Sequence, residues 1–180
     1  MKKVVKFGGS SLASAEQFKK VGNIIRSDKD RKFVVPSAPG KRYDGDIKVT
    51  DMLYDCYETA EAGKDFTKKL DAIKARYNEI IEGLGIDFSL EEDFKIVAEN
   101  FAAKAGKDYA ASRGEYLNGI LLADFLGYDF VDAASVVKFD KRGRYDQSET
   151  MRVMPEVLEA HEHAVIPGFY GSMPDGAIKT

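Results

Sequence analysis

The stretch VKFGGSSLAS, residues 5–14, decides the fold at the start of the chain. The β-branched run KVVKF, residues 3–7, predicts a strand, and the glycine pair behind it ends that strand in a tight turn. Ser14 then stands three residues before Gln17, which is capping-box spacing, and apolar residues recur at helical spacing behind it. The opening therefore predicts a strand, a glycine turn and a helix.

A second strand is predicted over residues 32–38 (KFVVPSA), where Pro39 and Gly40 close it. Strand, helix and strand form a βαβ unit, whose crossover is right-handed by strong default. The next segment, residues 40–48, is polar and bears glycine, so we predict a loop there.

Helical and strand-like segments alternate along the rest of the chain. Residues 50–101 predict amphipathic helices, and residues 112–127 predict a helix that begins polar, becomes apolar and ends at Gly127. Further segments are predicted as strands at 128–132, 135–139 and 164–171, and as a helix at 154–163 with Pro155 near its start. This order predicts an α/β protein, a three-layer αβα fold with a mainly parallel central sheet.

The bulk composition limits the class of protein. The 180 residues are 44% hydrophobic and 32% charged, enough for one domain or a large piece of one. A net charge of −3 provides no electrostatic footprint for nucleic acid. No apolar run approaches the roughly 20 residues of a membrane span. The single cysteine, Cys56, excludes an internal disulfide, so we expect a cytoplasmic protein with a structural thiol.

The glycine turn allows two interpretations. Gly8 and Gly9 let backbone N–H groups approach an anion closely, and the helix behind them adds a positive dipole end. Lys6 brings a full charge to the carboxyl end of the strand, where ligands bind in open α/β sheets, and Ser10 adds a hydroxyl. The alternative is a plain tight turn with a serine cap, because short glycine motifs are weak signals.

The stretch SRGEYLNG, residues 112–119, places Arg113 and Glu115 at the polar start of an otherwise apolar helix. The carboxylate could hold an ammonium group, and the arginine could pair with a carboxylate. The alternative is a solvated helix start whose glutamate favours the dipole. Thr50 is predicted to cap a helix and could bind a ligand as well. Residues 168–176 (GFYGSMPDG) are predicted as a site loop or as a glycine-rich hairpin.

Five stretches, taken in order, resemble the amino-acid kinase domain of aspartate kinases: VKFGGSS, VVPSAPGKR, VTDML, SRGEYLNG and VIPGFYGSMPDGAIKT. The resemblance covers essentially the whole chain, and SRGE before an apolar helix is particular to aspartate kinases. It implies transfer of the γ-phosphoryl group of ATP to the side-chain carboxylate of L-aspartate. That reaction begins the biosynthesis of lysine, threonine and methionine.

The resemblance also implies site residues and partners. Mg²⁺ is implied as a bridge to the ATP phosphates, although no protein ligand for it can be named. L-aspartate and ATP are implied as ligands, and we expect a homo-oligomer. The implied residues are Lys6 for the charge on the transferring phosphoryl group, Phe7, Gly8, Gly9 and Ser10 for the phosphate turn, Glu115 for the ammonium group of aspartate, Ser37 and Thr50 for the amino-acid pocket, with Arg113 and Gly171 as further candidates.

The chain also departs from the family pattern. Its loop between Ser37 and Thr50 is longer, and in the family the stretch matching GAIKT runs into a Leu-Gly-Arg-Gly-Gly-Ser-Asp motif. The arginine of that motif takes the α-carboxylate of aspartate, and most of the nucleotide-binding half and the ACT domains follow. We therefore expect residues 1–180 to be an N-terminal portion of the catalytic domain, inactive alone. Two alternatives stay open: another amino-acid kinase, such as the acetylglutamate type, and a non-catalytic binding or assembly module.

Overall fold

The computed structural model describes all of residues 1–180, and its centre is a parallel sheet of four strands in the order β1-β2-β4-β3. A separate antiparallel hairpin lies near the end of the chain. The strands are β1 (Lys3–Phe7), β2 (Arg31–Pro36), β3 (Asp129–Phe130), β4 (Ala164–Val165), β5 (Gly171–Ser172) and β6 (Ile178–Lys179). The predicted α/β class with a mainly parallel sheet is thus confirmed.

Seven helices surround the sheet, and their ends follow the local sequence. The Oγ atom of Ser14 accepts a hydrogen bond from the N–H of Gln17 at 3.4 Å, so the predicted cap of the first helix is confirmed. Gly85 and Gly127 adopt positive φ and end two of the others. None of the helices is both long and apolar enough to cross a membrane. The helices are α1 (Ala15–Arg26), α2 (Val49–Glu61), α3 (Thr67–Leu84), α4 (Glu91–Ala102), α5 (Lys107–Leu126), α6 (Ala133–Val136) and α7 (Gln147–Glu159).

Neighbouring residues of the inner strands face two different cores. Phe33 and Ala164 belong to a small core with side chains of α6, and α7 packs against it. Their neighbours Val34 and Val165 belong to the large core, which α1 to α5 complete. Because successive side chains of a strand point to opposite faces, the two cores lie on opposite sides of the sheet. This is the predicted arrangement of three layers.

The predicted strand over residues 135–139 is wrong. The short helix α6 includes the first two residues of that segment, because the carboxylate of Asp132 accepts a hydrogen bond from the N–H of Ala134 at 3.0 Å and caps a helical turn. Behind the helix, Lys138 and Phe139 form only isolated bridges. Val136 faces the small core from the helix, and Val137 packs against the same core directly behind the helix.

The last helix starts earlier than predicted. Asp146 caps α7 by accepting a hydrogen bond from the N–H of Glu149 at 2.9 Å, and Pro155 lies inside the helix instead of near its start. Proline removes one hydrogen bond with the carbonyl four residues earlier, here that of Met151. Both residues are exposed, so water can reach that carbonyl and the helix continues through the proline.

The loops that follow β1 and β2 meet backbone to backbone. The N–H of Gly40 donates to the carbonyl of Gly9 at 2.8 Å. A Cβ atom on Gly40 would lie 2.6 Å from the carbonyl carbon of Gly9, closer than side-chain atoms approach a backbone. The contact therefore requires glycine, and it joins the two loops at the carboxyl edge of the sheet.

We expect Gly40→Ala to lower the free energy of unfolding by about 1–3 kcal/mol, because its methyl group would separate the two loops. Gly8→Ala is the matched control, since Gly8 has φ −78° and nothing within 4 Å of the position of its Cβ. The control should stay within about 0.5 kcal/mol of the wild type. Chemical denaturation of both variants measures the difference, and equal losses would contradict the loop contact.

Candidate active site

A cavity of about 450 Å³ opens where the loops after β1 and β2 meet the start of α2 and the middle of α5. Such a position, outside the carboxyl ends of parallel strands, is where ligands bind in open α/β sheets. The residues that line it are Gly9, Ser10, Ser37, Ala38, Pro39, Gly40, Lys41, Lys48, Thr50 and Glu115. Five predicted site residues, Gly9, Ser10, Ser37, Thr50 and Glu115, are thus brought together from four separate segments.

Helix α5 approaches the loop after β2 very closely because residue 114 is glycine. A Cβ atom on Gly114 would lie 2.7 Å from the Cβ of Ala38 and 3.7 Å from the Oγ1 of Thr50. The hydroxyl of Tyr77 donates to the carbonyl of Gly114 at 2.8 Å and holds the helix from α3. A side chain at position 114 would prevent this close approach, which explains the glycine directly before the glutamate in SRGE.

Glu115 lines the cavity and has one carboxylate oxygen without a hydrogen-bond partner. The side chain is only 7% exposed. Its Oε1 atom accepts a hydrogen bond from the N–H of Ala38 at 3.1 Å, whereas Oε2 is buried and has no partner. Burial raises the pKa of Glu115, although the bond from Ala38 and the charge of Lys6 act in the opposite direction. A buried carboxylate with an unused oxygen is suited to receive a cationic group.

The helix start predicted at Ser112 is wrong, and so is the solvated environment considered for Glu115. Helix α5 begins at Lys107, so SRGE lies in its second and third turns, where Ser112, Arg113 and Glu115 are all buried. The polar residues that looked like a solvated first turn lie instead among neighbouring elements. Their burial follows from the packing of α5 against α2, α4 and the sheet.

The remaining residues of the predicted phosphate turn lie beside the cavity. Lys6 is exposed at the end of β1, forms no ion pair, and lies near enough to Glu115 for its charge to lower that pKa. Phe7 packs against the large core, and its carbonyl accepts a hydrogen bond from the N–H of Ser37 at 3.0 Å. Gly8 is exposed. Lys6 and Gly8 are therefore exposed at this edge of the cavity.

An ion-pair network holds the long polar loop between β2 and α2. The guanidinium of Arg76 donates to Asp46 Oδ2 at 2.6 Å and to the carbonyl of Gly40 at 3.0 Å. Arg42 donates to both oxygens of Asp46 from the other side, at 2.9 and 3.0 Å, and also to Glu79 at 2.6 Å. The Arg42 and Arg76 guanidinium groups hold the pKa of Asp46 well below its usual range. The loop is thus fixed beside the cavity.

Two lysines of that loop line the cavity, and the sequence reasoning did not identify them. Lys41 and Lys48 form no ion pair, so their charges are available to a ligand. Lys41 and Gly40 lie within the stretch VVPSAPGKR, and Lys48 directly precedes VTDML. Their position beside these motifs is the sequence signal that indicates a role at the site. The polar, glycine-bearing composition of residues 40–48 indicates only a loop.

Two further candidates lie away from the cavity. The guanidinium of Arg113 is 4.5, 4.3 and 5.5 Å from the ring centroids of Tyr109, Tyr116 and Tyr170, a buried cation–π cluster. Gly171 packs on Val137, whose carbonyl oxygen would lie 2.3 Å from an added Cβ. Its loop, residues 168–176, contains the hairpin strand β5 and the turn behind it, as the alternative interpretation held.

Residues 1–180 contain no cluster of metal-ligating side chains. No group of three or more His, Cys, Asp or Glu side chains converges anywhere in the chain. The cavity contains one carboxylate, which one N–H already engages. Mg²⁺ usually takes one or two protein carboxylates together with phosphate oxygens and water. The residues of this cavity therefore do not fit a dedicated magnesium site. Cys56 is buried, and burial raises the pKa of its thiol to about 11.

Comparison with solved structures shows close likeness to aspartate kinases. The aspartate kinase of Clostridium acetobutylicum superposes with a TM-score of 0.96 at 48% identity, covering 100% of this chain and 42% of that one. Escherichia coli aspartokinase III in complex with aspartate and ADP superposes with a TM-score of 0.79 at 26% identity, covering 100% of this chain and 43% of that one.

Comparison of sequences agrees with the structures. Aspartokinase 3 of Bacillus subtilis strain 168 is 36% identical over 193 residues, which cover 99% of this chain and 42% of that protein. The chain thus spans less than half the length of the curated relatives that it matches. The profile of the Amino acid kinase family matches residues 1–179. With its parallel sheet and its cavity at the carboxyl ends of β1 and β2, the chain belongs to the amino acid kinase family.

Proposed function

We propose that the full-length protein transfers the γ-phosphoryl group of ATP to the side-chain carboxylate of L-aspartate, giving 4-phospho-L-aspartate. The observation that carries the proposal is the unpartnered Oε2 atom of Glu115, in a cavity whose other wall is the glycine turn after β1. The ammonium group of a free amino acid could bind the Glu115 carboxylate, and the phosphates of a nucleotide could bind the glycine turn. The similarity to kinases of aspartate supports the same acceptor.

The proposed roles follow from the chemistry of the transfer. Two anions must be brought together, so the site needs fixed positive charge and N–H donors more than it needs a nucleophile. Glu115 would receive the α-ammonium group of aspartate, with Ser37 and Thr50 beside it, while Gly9 and Ser10 contact the phosphates. Lys6 would offset the charge that develops on the transferring group. Arg113 and Gly171 do not line the cavity, and we propose no substrate contact for them.

Lys41 and Lys48 extend this proposal to the long loop. Arg42 and Arg76 are both bound to Asp46, so these two lysines are the cations that the loop leaves unpaired at the cavity. A loop held by buried ion pairs can present positive charge without reorganising when an anion binds. We propose that both lysines attract the anionic substrates to this mouth of the cavity.

One observation separates aspartate from the acetylglutamate alternative. The α-nitrogen of an N-acetylated amino acid is a neutral amide, so it would leave the negative charge of Glu115 uncompensated in a buried wall. A free ammonium group would compensate it. Inactivity of the 180 residues alone, the cytoplasmic location and the homo-oligomer remain predictions. We propose no turnover for the 180 residues alone, since they match only 42% of the Clostridium kinase.

Trapping of the acyl phosphate tests the function. With ATP and hydroxylamine, the full-length protein should convert L-aspartate to its hydroxamate and leave N-acetyl-L-glutamate unchanged. Colorimetric detection with iron(III) measures both acceptors. Product only from the acetylated acceptor would favour the acetylglutamate type, and no product from either would favour a non-catalytic module. Clear hydroxamate from residues 1–180 alone would show that this portion suffices.

Loss of the Lys6 charge tests the phosphoryl end of the site. We expect Lys6→Met to lower kcat of the full-length protein by about 10²–10³-fold, the usual effect of removing a group that stabilises transition-state charge. Lys3→Met is the matched control, because Lys3 lies on the same strand and pairs with Asp28 at 2.7 Å far from the cavity. The control should change kcat less than about twofold. Equal losses in steady-state assays would exclude a specific role for Lys6.

The carboxylate of Glu115 should impose a pH dependence on aspartate capture. Because burial raises its pKa, kcat/KM for aspartate should fall as acidification reaches that raised pKa, at a higher pH than an ordinary glutamate would give. Glu115→Gln should abolish this step and weaken aspartate about tenfold to hundredfold, the worth of a charge-assisted hydrogen bond.

The conformational stability of Glu115→Gln shows whether its weaker binding results from misfolding. A folded-state pKa above the unfolded one means that the native state binds the proton more tightly, so the stability contributed by Glu115 is lost as pH rises through the raised pKa. At pH 7, Glu115→Gln should therefore unfold at the same or a higher denaturant concentration. A large loss of stability would attribute its weaker binding to misfolding and contradict the proposed role.

A further inference from the structure

Helix α5 binds both polar atoms of a single peptide unit in the cavity wall. The Nδ2 atom of Asn118 donates to the carbonyl oxygen of Ser37 at 2.7 Å. The N–H of Ala38, on the same peptide bond, donates to Oε1 of Glu115 at 3.1 Å. Residues three apart on a helix share a face, so one face of α5 holds this peptide at two points.

Planarity couples the two hydrogen bonds. A peptide unit is rigid, so a donor that fixes the direction of its carbonyl also fixes the direction of its N–H. Asn118 thereby determines where the N–H of Ala38 points, and that N–H occupies one oxygen of Glu115 and leaves the other unpartnered. Without the amide, the Ser37–Ala38 peptide could rotate and the carboxylate would lose its only donor.

The amide at this position is not explained by stability alone. Asn118 is fully buried, and its Oδ1 atom has no partner. An apolar side chain of similar size would free the carbonyl of Ser37 instead, so one buried acceptor is left unpaired in either case. What the amide adds is a fixed orientation of the peptide. This is a property of a binding site more than of a core.

We propose that Asn118 is a positioning residue, which orients the Ser37–Ala38 peptide so that Glu115 keeps one oxygen free for the ammonium group of the substrate. The inference rests on the proposed function only in taking Glu115 as the ammonium acceptor. Asn118 itself does not line the cavity.

A double-mutant cycle on the full-length protein tests this coupling. Isothermal titration compares L-aspartate with succinate, which has the same two carboxylates and no ammonium group, for Asn118→Leu, Glu115→Gln and the double variant. Asn118→Leu should weaken aspartate about fivefold to tenfold, the worth of one hydrogen bond, and succinate less than about twofold. In the Glu115→Gln background it should have no further effect. An equal loss for both ligands, or an additive loss in the double variant, would overturn the proposal.

A second measurement needs no ligand. In wild-type protein the bond from Ala38 lowers the pKa of Glu115 against the effect of burial. Carbon-detected NMR of the Glu115 carboxyl should therefore show a higher pKa in Asn118→Leu than in the wild type. An unchanged pKa would refute the positioning role even if Glu115 binds aspartate as proposed. If instead Glu115→Gln binds aspartate normally while this pKa moves, the proposed ammonium acceptor fails and the positioning contact stands.

Control variants separate orientation from damage to the fold. Asn100→Leu removes a comparable amide–carbonyl bond, from Asn100 Nδ2 to the carbonyl of Ile96 at 2.8 Å, outside the cavity. It should alter neither ligand affinity nor the pKa of Glu115. If Asn118→Leu does not fold, Asn118→Ala, which cannot overpack the site, replaces it under the same criteria.

Discussion

The close contact between helix α5 and the Ser37–Ala38 peptide is the constraint on which the candidate site depends. Gly114 permits it, since any side chain there would meet Ala38. Glu115 and Asn118 then bind the two polar atoms of the peptide. Remove this contact, and the buried carboxylate would have neither its donor nor a fixed direction. The cavity would then lose the wall to which we assign the proposed recognition of an ammonium group.

A second constraint acts on the two loops that line the cavity. The glycine pair Gly9 and Gly40 joins the two loops, and the buried Arg76–Asp46 ion pair holds the remainder of the long loop. Both devices reduce motion where anions would bind, which favours preorganised electrostatic stabilisation. The free Oε2 atom of Glu115 has the reverse effect on stability, because a buried unpaired acceptor is unfavourable until a ligand arrives. The site thus combines a rigid frame with one unsatisfied group.

Local patterns predicted the elements well where a strong signal stood alone. The strand before the first glycine turn and the cap at Ser14 were confirmed, because β-branched runs and capping hydroxyls act over a few residues. The cap predicted at Thr50 was wrong, because α2 already begins at Val49 and no side chain caps it. Prediction failed where local signals competed with packing. The apolar run at residues 135–139 resembled a strand, yet the cap at Asp132 and burial against the small core made its first two residues helical. SRGE resembled a solvated helix start, yet it lies buried in mid-helix.

Local patterns in the sequence indicate the α/β class, the family and half of the residues that line the cavity, because motifs such as KFGGSS and SRGE are short and carry their chemistry locally. The position and the partners of each side chain at the cavity follow from the tertiary structure. It placed Arg113 in a tyrosine cluster away from the cavity and brought Lys41 and Lys48 to its mouth. It also left one oxygen of Glu115 without a partner. These outcomes depend on contacts between residues far apart in the chain, which no local pattern records.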